Sequence, residues 1–329
     1  MPTVLVCGAI NWDTTCLVQH LPMPGEEVTC DSVSEVPGGT GANAAVAAAR
    51  ILGPGQVGLF GALGRDDTAR IQLEILESEG VAPDSVLKLP GHASGHAYIF
   101  VDHTGQNVIA SALGANSALT VRHARQARLT TLMQGCRCLA LTDPPLSVAA
   151  HLLETAEALS VPALWDPGVA VRAGWNALAP LARRADSLLL NEAEAEQLLE
   201  SADPSTILRT LDPRDAPSAI VLKRGAHGSY LLQCATRTVV HIPALPLDAL
   251  GLEVISTVGC GDVFLGTYAA LLSLDGTRQD ALTFASAAAG LNATSPNTRG
   301  GPTASHLDDT IARARTLGFP APGAERISS

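Results

Sequence analysis

The chain has 329 residues, 47% of them hydrophobic, and a formal net charge of −11. That length buries a sizeable core as one large α/β domain or two smaller ones. An acidic balance with no basic cluster excludes an electrostatic nucleic-acid footprint and binding to an anionic membrane surface.

The N-terminal MPTVLVCGAINWD lacks a basic region ahead of a long apolar segment, so no signal peptide is expected. No apolar run is long enough to span a bilayer. Seven cysteines, an odd number scattered singly, make no disulfide framework, and Cys136 with Cys138 is a C-x-C pair without a second ligand pair. They read as reduced thiols of a cytoplasmic protein, which leaves the sequon at Asn292 without meaning.

In chain order, TVLVCGAI reads as a strand. The segment from Thr14 to Val36 alternates apolar and polar residues and stands apart from the βα rhythm. Then comes PGGTGANAAVAAAR, Pro37 to Arg50, where glycines feed directly into the alanine-rich helix ANAAVAAARIL. Glycine lets bare backbone approach a ligand and a helix start offers unpaired amides, so a phosphate, a dinucleotide or a sugar would each fit here. The strand VGLFGAL and the helix TARIQLEILESEG follow. From Ser94 to Leu113 the pattern alternates again, with DHTGQ as a hairpin turn. We expect these two alternating segments to pair as a small β lid over the site.

The rhythm resumes with CLALT, SVAAHLLETAEALS, PALWD, SLLLN, EAEAEQLLE and AIVLK, and closes with alanine-rich helices from about Asp262 to Thr294. Strands that are apolar throughout suit a parallel sheet covered on both faces. Residues 320–329 read as a flexible tail.

In STVGCGDVFLGTYAALL, Ser256 to Leu272, a second glycine-rich turn opens a helix, and an aspartate follows the glycines. Amides of Gly259, Cys260 and Gly261, helped by the helix dipole, suit the charge on a transferring phosphoryl group, with Asp262 placed to accept a proton from the attacking hydroxyl. The plainer alternative is a loop whose aspartate caps a helix. GTGANA, Gly39 to Ala44, satisfies G-x-G-x-x-A, but some thirty residues separate it from the first strand, which argues against a dinucleotide fold. There is no Walker A sequence.

Five stretches taken together resemble the ribokinase family, the pfkB-type carbohydrate kinases: GAINWD, GGTGANAAVAAARILG with GLFGALGRDD, GQNVIASALGANSALT, LLLNEAEAEQL and STVGCGDVFLG. The resemblance runs through nearly the whole chain. It implies a three-layer α/β/α domain with a mostly parallel central sheet and a small β-sheet lid. It also implies an ATP-dependent, Mg²⁺-requiring kinase that phosphorylates a hydroxymethyl group, with ribose or a related pentose as acceptor. A nucleoside and then a sugar phosphate are the alternative acceptors, and a catalytically silent binding protein is the non-kinase alternative.

Carried over by position, the resemblance makes Asn11 and Asp13 one wall of the sugar site and Gly39, Thr40 and Asn43 the other. Asn43 has a donor and an acceptor to offer a hydroxyl, although it also suits a helix cap. Asp262 becomes the base and Gly259, Cys260 and Gly261 the anion hole. Asn191 and Glu194 match a phosphate and magnesium motif, Glu194 acting through water, with a capping box as the plainer reading. Lys223 and Gly225 fall where the family contacts the nucleotide. The nine histidines show no metal-ligand spacing and are taken as structural or exposed.

Thr40 stands where ribokinases carry Lys, against the sugar, which leaves the acceptor open to differ from free ribose. Ser256 replaces a frequent Asp, and NATSPNTRGGPTAS departs from the monovalent-cation loop, so weak or absent potassium activation is expected. Trp12, which lies between Asn11 and Asp13, and Tyr98 and Phe100 are the candidates for stacking on a nucleoside base, with a packing role as the alternative. Cys260 replaces a usual alanine or serine, as a packed thiol or a reactive one. Exchange of lids between two subunits is a family habit, which makes a homodimer the expected assembly.

Overall fold

Continuous apolar runs become buried strands in the computed structural model, which describes residues 1–319 and 326–327. Strand β1 (Val4–Gly8) leads into two lid strands, β2 (Asn11–Val18) and β3 (Cys30–Gly38), before the helix Thr40–Leu52 and strand β4 (Val57–Leu63). After the helix Asp67–Ser78 come the short β5 (Val81–Ala82) and β6 (Val86–Lys88), then the second lid pair, β7 (Gly95–Asp102) and β8 (Asn107–Ala112). Next are β9 (Cys138–Thr142), β10 (Ala163–Asp166), β11 (Ser187–Asn191) and β12 (Ala219–Lys223), with helices between them. An antiparallel edge of β13 (Ser229–Gln233), β14 (Thr238–Ile242) and β15 (Arg326–Ile327) completes the main sheet. The expected tail at 320–329 otherwise lies outside the described residues.

The main sheet runs β15-β14-β13-β12-β11-β10-β9-β1-β4-β5, with β6 paired to β4, and is parallel from β12 to β5. Side chains alternate across it. Leu5, Cys7, Leu139 and Leu188 enter the core on one face, whereas Val4, Val6, Ala140 and Leu189 enter the core on the other. Helices cover both faces, so the expected three-layer arrangement is the one observed. The β13–β14 hairpin has no counterpart in the sequence reading, because SYLLQ and TVVHI are short runs flanked by polar residues.

The lid is a separate four-stranded sheet in the order β3-β2-β7-β8. It begins at Asn11 rather than Thr14, which puts Asn11 and Asp13 on the lid itself. The DHTGQ turn closes the β7–β8 hairpin, where the Asp102 carboxylate accepts from the amides of Thr104 and Gln106. Among the described residues no helix is long and apolar enough to cross a membrane.

Candidate active site

The parallel strands end on one side of the sheet, and their last residues make the floor of the site. Asp166 ends β10, Asn191 ends β11, Lys223 ends β12, and Asp143 directly follows β9. Open parallel sheets place ligands at these carboxyl ends, where the chain crosses from one side of β1 to the other. Here β1 lies between β4 and β9, with Gly8 as its last residue.

Two glycine turns bring helix starts to this edge. Gly39 has φ 94°, and a Cβ there would lie 2.5 Å from the Asn11 amide nitrogen. A Cβ on Gly41 would lie 2.5 Å from the Gly8 backbone. These glycines therefore pack the helix start against β1 and β2, a tighter role than leaving room for a ligand. Gly259, at φ 79°, opens the helix Cys260–Ser273 and faces the Thr298 carbonyl, 2.1 Å from where a Cβ would stand. Helix geometry leaves the Gly261 and Asp262 amides without intrahelical partners, while the Cys260 amide reaches the Thr257 carbonyl at 3.3 Å.

Asn43 is not a cap. Gly39 is the N-cap of its helix, and Asn43 lies a turn inside, donating from Nδ2 to Asp262 Oδ2 at 2.8 Å and accepting from Arg299 Nε at 2.9 Å. Burial, opposed by the Asn43 hydrogen bond and the Lys223 ammonium and reinforced by Asp166 and Asp143, pushes the Asp262 carboxyl up to about 7. Asp13 is buried under Gly38, and that burial, against the pull of Arg299 and His96, raises it to about 6. Asn11 presents its Oδ1 to Asn116 Nδ2 at 2.9 Å, which leaves its own amide as a donor. Thr40 donates to Asp143 at 3.2 Å.

On the opposite side, Lys223 pairs with Asp166 at 2.5 Å, both largely buried. Burial works against the ammonium, but Asp166, Glu194 and Asp262 together raise it. Asn191 and Glu194 form a reciprocal capping box, each side chain bound to the other's amide at 2.8 Å. The plainer reading of these two is thus correct as structure, and the other Glu194 oxygen has no hydrogen-bond partner among the described residues. Burial and Asp166 raise the Glu194 carboxyl.

A cavity of about 1230 Å³ opens beside this edge, lined by Asn191, Lys223, Gly225, Cys260 and Gly261. Its lining also includes Tyr230 and His241, stacked at 4.6 Å, and the exposed His227, which fits the expectation of structural or exposed histidines.

A family model for the pfkB family carbohydrate kinases matches residues 1–304. The chain belongs to this family. Among its relatives are an ATP-dependent ribose-1-phosphate kinase of Halopiger xanaduensis, 29% identical with 92% of this chain and 96% of the relative covered, and a ribokinase of Schizosaccharomyces pombe, 27% identical with 87% and 90% covered. The structure of Arabidopsis thaliana ribokinase complexed with ribose and ATP superposes with a TM-score of 0.84 at 23% identity, covering 94% of this chain and 98% of that one. The protein is a phosphotransferase with an alcohol group as acceptor, on the ribokinase fold.

Within this pfkB kinase the sequence-predicted residues divide in two. Asn11, Asp13, Gly39, Thr40 and Asn43 gather where the lid meets the Thr40–Leu52 helix, and Asn191, Glu194, Lys223 and Gly225 gather at the ends of β11 and β12, with Gly259 to Asp262 between them. Sequence reasoning missed Asp143, Asp166, Asn116 and Arg299. The only signal for the two aspartates was the position of each at the end of an apolar strand.

The pleat corrects one expectation. Asn11 and Asp13 share a face of the lid, and Trp12, paired with His96, lies on the other with Tyr98 and Phe100. The three aromatics therefore do not face a ligand held by Asn11 and Asp13. Cys260 is half-buried, and burial together with nearby Asp262 raises its thiol against the Asn292 contact at 3.4 Å, which favours packing over reactivity.

Proposed function

We propose that this pfkB kinase transfers the γ-phosphoryl group of ATP to the hydroxymethyl group of ribose or a related pentose. The observation that carries the reading is Asp262, held by Asn43 at the start of a helix whose Gly261 and Asp262 amides have no intrahelical partner. In this scheme Asn11, Asp13, Thr40 and Asn43 orient the sugar so that its primary hydroxyl meets the Asp262 carboxylate. The hydroxyl oxygen bonds to the γ-phosphorus, the bond to the β,γ-bridging oxygen breaks, ADP leaves, and the proton passes to Asp262. Developing charge on the phosphoryl oxygens meets the Gly259 to Gly261 turn and its helix dipole. Lys223 and Gly225 hold the nucleotide phosphates from the cavity side, beside Asn191.

Mg²⁺ bound with ATP neutralises phosphate charge. Glu194 fits as its carboxylate, since one oxygen stays free of the capping box. Among the described residues no three His, Cys, Asp or Glu side chains form a metal cage, so the ion would keep water and phosphate ligands. The protein is read as cytoplasmic. It is also read as a homodimer through the outer lid face, where Val33, Tyr98 and Val108 are exposed.

A second acceptor, a sugar 1-phosphate, is favoured by the Halopiger relative. The nucleoside alternative lacks its stacking partners, given the pleat. Coupled ADP release with Mg·ATP against ribose, other pentoses, nucleosides, fructose 6-phosphate and ribose 1-phosphate distinguishes them. The expected result is highest turnover on ribose or a related pentose. Preference for ribose 1-phosphate or a nucleoside would replace the substrate, and silence from every acceptor with ATP still bound would point to a binding protein.

A further inference from the structure

We propose that Arg299 is a positioning residue: by donating to the Asn43 carboxamide oxygen it fixes the direction of the Asn43–Asp262 hydrogen bond and keeps Asp262 an acceptor. The inference rests on Asp262 being the base of the reading above.

A carboxamide has one donating and one accepting end, and left to itself Asn43 satisfies Asp262 either way round. A guanidinium only donates. With Arg299 Nε 2.9 Å from Asn43 Oδ1, the oxygen is committed, and Nδ2 is the end that meets Asp262 at 2.8 Å. A donor on the carboxylate favours its ionised form. Turned over, Asn43 would offer Asp262 an oxygen, which only the protonated acid can engage.

Arg299 is held for this task. Its Nη2 donates to the Gly38 carbonyl at 3.2 Å, and its own carbonyl accepts from Arg50 Nη1 at 2.6 Å, with Arg50 paired to Glu79. The residue is 8% exposed, and Nη1 has no hydrogen-bond partner among the described residues. Burying a guanidinium without a direct carboxylate partner is unfavourable, so stability does not account for it. The charged groups facing Arg299 are Asp13 from β2, Glu79 and Arg50 behind the loop, and Asp262. Those facing Asp262 are Asp143 after β9, Asp166 at the end of β10, Lys223 at the end of β12, and Arg299 from its own loop.

The test is the pH titration of Asp262, read by carboxyl ¹³C NMR with Asp262→Asn as the assignment control, and by the acid limb of kcat/KM. The variants are Arg299→Met, Arg299→Lys, Asn43→Ala and the Asn43→Ala/Arg299→Met double. Arg299→Met is expected to raise the Asp262 midpoint by about one pH unit, the scale of a hydrogen bond to a charged group. It should lower kcat about fivefold at pH 7, approaching tenfold on the acid side, while KM for ATP stays put. Arg299→Lys, still a pure donor, restores the midpoint, and in the Asn43→Ala background Arg299→Met adds no further shift. An unmoved midpoint in folded Arg299→Met, or the same shift with Asn43 absent, overturns the proposal. If Arg299→Met does not fold, Arg50→Met makes the same comparison by releasing the loop that carries Arg299: a raised midpoint supports the proposal and an unmoved one overturns it. The NMR titration is independent of turnover, so failure of the kinase reading shows separately as an inactive wild type.

Discussion

Asp262 is the residue on which opposing influences meet most directly. Burial favours its neutral form, and the Asn43 donor and Lys223 favour the charged one, leaving it near neutrality at about 7. A general base works best when its pKa lies near the working pH. The raised value also has a consequence for stability. An acid whose folded pKa exceeds its unfolded one stabilises the fold when protonated, and that contribution is lost as pH rises from about 4, the unfolded value, through 7. Asp262→Asn should therefore raise the melting temperature at pH 8 and change it little at pH 4, as calorimetry at the two pH values would show. A melting temperature lowered at pH 8 would mean that the charged form is better accommodated than its surroundings indicate. Lys223 and Asp166 make the contrasting case, a nearly buried pair in which each neutralises the other.

At the level of elements, the glycine turns were legible because glycine before a helix start is a local signal, and the open amides follow from helix geometry alone. The same local reasoning mistook Asn43 for a possible cap. Its partners, Asp262 and Arg299, are 219 and 256 residues away, and no local pattern announces them. Trp12 turns on a different point: adjacency to Asn11 and Asp13 in sequence is opposition across a strand, which favours the packing alternative. The pleat makes a direct prediction. Trp12→Ala should change kcat/KM for ribose and for a nucleoside by the same factor, within about twofold, because the ring lies on the lid face opposite Asn11 and Asp13. Selective loss of nucleoside turnover would return Trp12 to the site.

Over the whole molecule, the βα rhythm and the order of five motifs made the fold and the family readable before any coordinates. What they did not reveal is the acidic floor. Asp143 and Asp166 each end a different apolar run, and only the parallel register places them side by side at the edge that Lys223 and Asp262 share. The Ser256 region belongs to this scale as well. The Ser256 hydroxyl accepts from the Val258 amide, and the Ala293 carbonyl accepts from the amides of Ile255 and Ser256. With no carboxylate at Ser256, exchanging sodium for potassium should leave kcat within about twofold. A many-fold rise would place a cation ligand elsewhere in the loop.

The most direct test of the account is to follow Mg·ATP and ribose by ³¹P NMR with wild-type enzyme and Asp262→Asn. We predict growth of a phosphomonoester on the primary carbon at the expense of the γ-phosphate, slowed about 10²- to 10⁴-fold in the variant with ATP affinity unchanged. Product formed equally fast by both proteins would contradict the assignment of the base, and phosphate released without a sugar ester would contradict the reaction itself.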